Sequence, residues 1–277
     1  MNDISDVQVL IEPGKRLRHY WRELWLYREL FYFLAWRDII VRYKQTVIGV
    51  SWSLIRPFLT MVVFSVIFGS LAKLPSEGIP YPILVMAGTL PWYLFSTSLA
   101  ESSNSLISNA NMLTKVYFPR LAIPVSTIAV SFVDFVISFA ILLGMMIYYN
   151  FLPNWQIVTL PIFILIAVFA SLGGGFWFSA LNVKYRDFKF IIPFIVQFGL
   201  YVSPVGFSAS IIPQNFRLLY SLNPMVGVID GFRWAITGKG MDLYIPGFIL
   251  SILIVFILFI SGLWYFRKTE KTFADVI

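Results

Sequence analysis

Nothing charged stands between Phe58 and Ala72, and a run of that length and apolarity can hardly sit anywhere but in hydrocarbon. Directly before it comes Arg42-Tyr43-Lys44-Gln45-Thr46-Val47-Ile48-Gly49-Val50-Ser51-Trp52-Ser53-Leu54-Ile55-Arg56-Pro57. Its basic residues Arg42, Lys44 and Arg56 bracket the crossing point, and Trp52 is the amphipathic ring expected at headgroup level. The preceding segment, Leu17 to Val41, is charged and aromatic-rich and cannot cross a bilayer. The chain therefore enters a membrane here, from the cytoplasmic side. Composition agrees: of 277 residues 58% are hydrophobic and 13% charged, where a soluble domain averages about a quarter charged. The expected class is an all-α polytopic membrane protein. Cysteine is absent, which excludes disulfides and thiolate metal sites. Met1 to Pro13 is polar and acidic and lacks the basic-then-apolar order of a cleaved signal. The net charge of +7 is read as positive-inside topology rather than as a nucleic-acid surface.

Two regions follow, a cytoplasmic N-terminal segment over 1–46 and a transmembrane domain over 47–277. In the first, residues 15–41 read as an amphipathic helix. Leu17, Trp21, Leu24, Tyr27, Phe31 and Leu34 recur at helical spacing, while Arg18, Arg22, Glu23 and Glu29 fall elsewhere. Such a helix lies along the cytoplasmic interface; a soluble partner docking on its polar face fits the pattern equally. Six segments can span, at about 20 apolar residues each: 50–72, 83–105, 123–149, 157–181, 190–208 and 245–266. The second is the least clean, because Ser96 to Asn111 is polar and includes Glu101, and its cytoplasmic end is expected to continue as a helix beyond the bilayer. On this assignment only Lys73, Arg217, Arg233 and Lys239 of the 21 Lys and Arg residues lie outside, so both termini are cytoplasmic.

The third outer loop, Ala209 to Tyr244, is too apolar for a free loop. Gln214 to Leu222 and Met225 to Thr237 are each expected to form a short helix, re-entrant or interfacial because neither is long enough to span. Met225, Ile229, Phe232 and Ile236 mark an apolar stripe, Asp230 and Arg233 can pair at i,i+3, and Gly238 suits a C-terminal cap. On the cytoplasmic side, Asn182 to Asp187 is expected to be a tight turn between the fourth and fifth spans.

The search for chemistry is short. No phosphate-cradling GxxxxGK[ST] is present, so the chain is not expected to hydrolyse ATP itself. The single histidine, His19, lies in the amphipathic segment, which excludes a His-based metal site or triad inside the membrane. No catalytic residue and no metal site are assigned. Asp134 is the one acid deep in a span, with no basic residue at matching depth, and a structural role is expected for it over proton coupling. Ser171, Gly175 and Ser179, with Gly173 and Gly174 beside them, let a helix approach closely; intrachain packing is expected, with a dimer face as the alternative. Aromatics make up 18% of the chain. Trp92 and Tyr93 in the second span, and Trp52, Phe58, Phe64 and Phe68 along the first, would suit a conduit in which ring faces stack on sugar C–H groups, as they do on bases in single-strand channels.

A cytoplasmic amphipathic helix, six spans, a polar connector after the second and a re-entrant outer excursion before the sixth resemble the ABC-2 type exporter permeases. More narrowly, the chain is similar to the branch exporting O-antigen, capsule or teichoic acid polysaccharide. The carriers are Arg42-Tyr43-Lys44 with Gly49, Ser51-Trp52-Ser53 and Pro57; Gly88-Thr89-Leu90-Pro91-Trp92; Phe118-Pro119-Arg120; Asn182-Val183-Lys184-Tyr185-Arg186-Asp187; Ser203-Pro204; and Asn223-Pro224. The resemblance implies a homodimer in the bacterial inner membrane, two separate ATP-binding cassette subunits that carry the ATP and magnesium, and a glycan on an undecaprenyl-pyrophosphate or other lipid carrier as cargo. It places ATPase contacts at Arg37 and at Asn111, Lys115 and Arg120. Arg42, Lys44 and Arg56 are the candidates for the lipid pyrophosphate, since a dianion at that interface calls for paired cations. The alternatives are an ABC exporter of a small lipid or drug and, from another class, a membrane-embedded transferase, for which no polar catalytic cluster is found.

Overall fold

The computed structural model describes residues 24–44, 49–185, 187–238 and 243–273. The expectations resting on Leu17, Trp21, His19, Arg186 and Lys239 lie outside them. Among the described residues there are helices and connectors and no strand. A first helix, α1 (Arg28–Lys44), opens on Glu29 and closes on Arg42 and Lys44, each charge matched to its end of the helix dipole. Leu34 is fully buried against Leu106, Leu113, Phe118 and Phe266, and Leu24, Tyr27 and Phe31 pack on the same cluster. The four described residues of the expected apolar stripe are therefore satisfied by protein. Tyr32, Phe33 and Trp36, on another face, are exposed.

Helix α2 (Gly49–Phe64) continues as a π-helical stretch, Ser65–Leu71, and leaves most of its surface outside the bundle. Helix α3 (Tyr81–Ser108) is the axis of the fold. Its 28 residues measure about 42 Å, longer than a bilayer core, so it extends past one end as expected. Ile83, Leu84, Met86, Leu90 and Leu94 are 0–1% exposed. Three hydroxyls of its polar half bond back to the helix: Thr97 donates to Tyr93 O, Ser103 to Leu99 O and Ser105 to Ser102 O, while the buried Ser98 and Ser102 hydroxyls find no partner among the described residues. After α4 (Ala110–Lys115) and α5 (Ala122–Ser126) come α6 (Ile128–Tyr148) and α7 (Leu160–Lys184).

α7 packs between α3 and the last helix, α11 (Ile245–Thr269). Its glycines explain both contacts. A Cβ on Gly175 would meet Ser102 of α3, and one on Gly173 would lie 2.7 Å from the Phe259 main-chain nitrogen of α11. The small-residue row is used inside the chain. α7 also runs on through Asn182, whose side chain donates to Ser103 O (3.2 Å) and to Asn104 Oδ1 (3.0 Å), so the expected turn shrinks to the residues beyond Lys184.

Among the described residues, five helices are long and apolar enough to cross a membrane. The fifth expected span is α8 (Phe188–Val202), whose fifteen residues cover about 22 Å before Ser203-Pro204 ends it. The two short helices are present as α9 (Gln214–Tyr220) and α10 (Pro224–Thr237). α10, however, is no surface helix: eleven of its residues are buried, among α3, α7 and α11. Asn223 caps it by accepting from Met225 N at 3.0 Å, and Gly238 closes it at φ +61° as the expected left-handed cap.

Arg233 also departs from expectation. No ion pair within 4 Å joins it to Asp230 among the described residues. The guanidinium is fully buried and donates to Leu84 O (3.1 Å), Phe207 O (2.7 Å) and Val205 O (2.7 Å). The break after α8 bares the last two of these carbonyls, and Gly88 makes room, since a Cβ there would lie 2.5 Å from Arg233 Nη2. Asn223 Nδ2 donates to Ser203 Oγ at 2.8 Å, so the Ser-Pro and Asn-Pro breaks brace each other.

Candidate functional site

One cavity of about 720 Å³ opens between α1, α2, α3 and α6. Its wall carries Arg42, Trp52, Arg56, Tyr93 and Asp134, with Ser53, Thr97, Ser131 and Ser138 between them. Volume and lining fit a pocket that is mostly apolar with a few convergent polar groups.

Asp134 organises the polar wall. Its Oδ2 lies 2.7 Å from Arg42 Nη2, and its Oδ1 accepts from the hydroxyls of Tyr43 and Ser53. Arg42 Nη1 in turn lies 3.4 Å from Glu101 of α3. Asp134 therefore has the basic partner at its own depth that the sequence did not offer. The reason is tertiary: α1 folds back against α5 and α6, so its last turn reaches a residue well inside α6. Burial, and then the hydrogen bond to Asp134, push the Tyr43 hydroxyl up to about 12, so it stays a donor at neutral pH. Tyr43 and Ser53 were missed as site residues. The one available signal was an intramembrane carboxylate that had to find donors, with Arg-Tyr the motif nearest the entry point.

The expected lipid-phosphate residues divide. Arg42 is ion-paired, Arg56 faces the cavity with no hydrogen bond or ion pair to any described residue, and Lys44 is exposed at the end of α1. The expected channel aromatics divide too, because neighbours on a helix point about 100° apart. Trp52 and Tyr93 line the cavity, and the Tyr93 hydroxyl pairs with Thr60 Oγ1 at 2.7 Å. Phe58 faces outward. Trp92 is 3% exposed and covers Gly199, while Phe64 and Phe68 stack edge-on and cover Gly206. These last three pack against neighbouring segments and do not line this cavity. Of the expected ATPase contacts, Asn111 and Lys115 are exposed on α4. Arg37 bridges α1 to Asn109 Oδ1 (2.9 Å) and pairs with Asp38 (2.7 Å). Arg120 donates to Glu270 O and lies 5.9 Å over the Phe273 ring, which fastens the connector to the C-terminal end.

A second, smaller cleft of about 180 Å³ lies at the opposite end of the bundle, between the loop after α2, α9, α10 and α11. Glu77 accepts there from Ser208 (2.8 Å) and Ser210 (2.6 Å). Asp230 faces the same cleft, and burial pushes its carboxyl up to about 6 against the opposing charge of Arg233.

Known proteins give this geometry a context. The ABC-2 type transporter description matches residues 29–237. The O-antigen export system permease protein RfbA of Myxococcus xanthus is 30% identical over 215 residues, covering 76% of this chain and 82% of that protein. A Klebsiella pneumoniae protein of the same name is 28% identical over 90% of this chain and 95% of its own length. The polysialic acid transport protein KpsM of Escherichia coli is 23% identical over 85% and 91%. The match begins within α1 and ends at the last residue of α10, so it takes in every wall of the large cavity. The chain belongs to the ABC-2 type transporter family, on its polysaccharide-export side.

Proposed function

We propose that this chain is the membrane subunit of an ATP-driven exporter that moves a lipid-linked polysaccharide of O-antigen type across the bacterial inner membrane. The observation that carries the reading is the large cavity, where cationic Arg56 and Arg42 share a wall with Trp52 and Tyr93. A lipid-linked glycan offers a pyrophosphate and a train of sugar rings. Guanidinium forks suit the first and aromatic faces the second. The names of the relatives, O-antigen export and polysialic acid transport, support the same cargo class.

In this reading both termini are cytoplasmic, and α8 with residues 203–208 completes a sixth crossing. Two copies of the chain form the conduit. Two ATP-binding cassette subunits dock where α1 and the exposed Asn111 and Lys115 of α4 come together. Lys44, at the end of α1, adds a third cation near the headgroups. The phosphates enter at the basic cluster, the glycan follows, and closure of the ATPase subunits drives the stroke.

Depletion of the protein in its native host, followed by fractionation of lipid-linked glycan, tests this. Full-length glycan should accumulate inside while the surface loses it. Unchanged surface glycan would overturn the reading, and loss from both places would indicate a biosynthetic enzyme.

A further inference from the structure

The two arginines of the large cavity are held differently. Arg56 makes no hydrogen bond or ion pair to a described residue, whereas Arg42 lies between Glu101 and Asp134, 3.4 and 2.7 Å away. Asp134 in turn gathers Arg42 and Tyr43 from α1 and Ser53 from α2 onto one carboxylate of α6. A guanidinium fork accepts a carboxylate or a phosphoryl group in the same planar geometry. Asp134 Oδ2 thus presents to Arg42 the kind of anionic oxygen that a cargo phosphate would present.

Resting on the lipid-linked cargo proposed above, we propose that Asp134 is a stand-in anion. It holds Arg42 until a phosphoryl group of the cargo takes its place, and the exchange passes the Arg42 side chain from α6 to the cargo while Tyr43 keeps the end of α1 on Asp134. Three features support the exchange. The pair is only partly withdrawn from solvent, with side chains 34% exposed for Arg42 and 14% for Asp134, so a competing anion can reach it. When Arg42 leaves, Asp134 keeps the Tyr43 and Ser53 hydroxyls and is not left as a bare buried charge. A phosphoryl dianion also carries more charge than one carboxylate and draws the fork more strongly. Arg42 lies in the last turn of α1, so cargo occupancy is passed to the helix that leads toward the ATPase face. Asp134 is a positioning residue that acts through Arg42.

The test uses the permease–ATPase complex in nanodiscs, with undecaprenyl pyrophosphate as the probe and its affinity as the readout. Asp134→Asn removes the competing charge and should tighten binding by about tenfold, and Asp134→Glu should return it toward wild type. Ser53→Ala, which strips a donor that Asp134 falls back on, should move affinity the other way. In an Arg42→Ala background Asp134→Asn should have no further effect. A purely structural Asp134 would give weaker binding in the Asn variant, never tighter. Equal affinities for wild type, Asp134→Asn and Ser53→Ala would overturn the exchange while leaving a lipid-phosphate site in place. No binding by any form would overturn both the exchange and the cargo reading.

Discussion

Replacing Arg233 by Met tests whether one buried cation fastens the break after α8 to the core. The guanidinium supports three main-chain carbonyls, of which Leu84 O and Val205 O are fully buried and Phe207 O is partly so. Methionine fills comparable space and leaves no large void, so the loss comes from orphaned acceptors. Each buried carbonyl without a donor costs about 1–3 kcal/mol. Water can reach Phe207 O, and the variant no longer buries a charge. Two carbonyls at mid-range then give about 4 kcal/mol, or a fall of roughly 10 °C in apparent melting temperature. Gly88→Ala attacks the same point from the other side. Its Cβ would lie 2.5 Å from Arg233 Nη2 and 2.7 Å from Val205 O, and overpacking of this kind costs about 2 kcal/mol. Because the nearest clash is with Arg233 itself, the double variant should be less destabilised than the sum of the two. Size-exclusion thermostability of the purified protein in detergent measures all four corners of the cycle. An unshifted Arg233→Met protein, or strict additivity within about 0.5 kcal/mol, would refute the account.

Other outcomes follow from particular residues. Asp230 holds its proton to a higher pH in the folded protein than in the unfolded chain, between Arg233, Glu77, Arg217 and Tyr220. The penalty is absent below about pH 4, grows as pH rises through 6, and reaches about 3 kcal/mol above pH 7. Asp230→Asn should therefore raise thermostability at pH 7.5 and not at pH 4, and an equal gain at both would contradict it. Asn223→Ala loses the cap of α10 and the donor to Ser203, about 1–2 kcal/mol by the same thermostability assay, with Asn223→Asp in between. Arg56→Ala should lower surface glycan while leaving membrane insertion and the elution profile unchanged; full export by that stable variant removes Arg56 from the proposed phosphate site.

The sequence carried the class of protein because length and charge placement are one-dimensional. Charge-free runs of twenty residues, the lopsided distribution of Lys and Arg, the left-handed cap at Gly238 and the Asn223-Pro224 start of α10 each follow from local physics. Stripe residues Leu24, Tyr27, Phe31 and Leu34 could be marked as one apolar face, yet nothing local says whether lipid or protein covers it. Partner choice across the fold was hidden in the same way. Arg233 matched Asp230 by spacing, but the break at Ser203-Pro204 brings two bare carbonyls closer than the carboxylate. Asp134 looked partnerless along its own span, and Trp92 looked as much a channel residue as Tyr93. Only the tertiary structure folds α1 back onto α6, setting Arg42 against Asp134, and turns Tyr93 toward the cavity while Trp92 closes over Gly199. A helical period tells which residues share a face. What that face meets is decided by helices far away in sequence, whose docking rests on close approach at residues such as Gly88, Gly173 and Gly175.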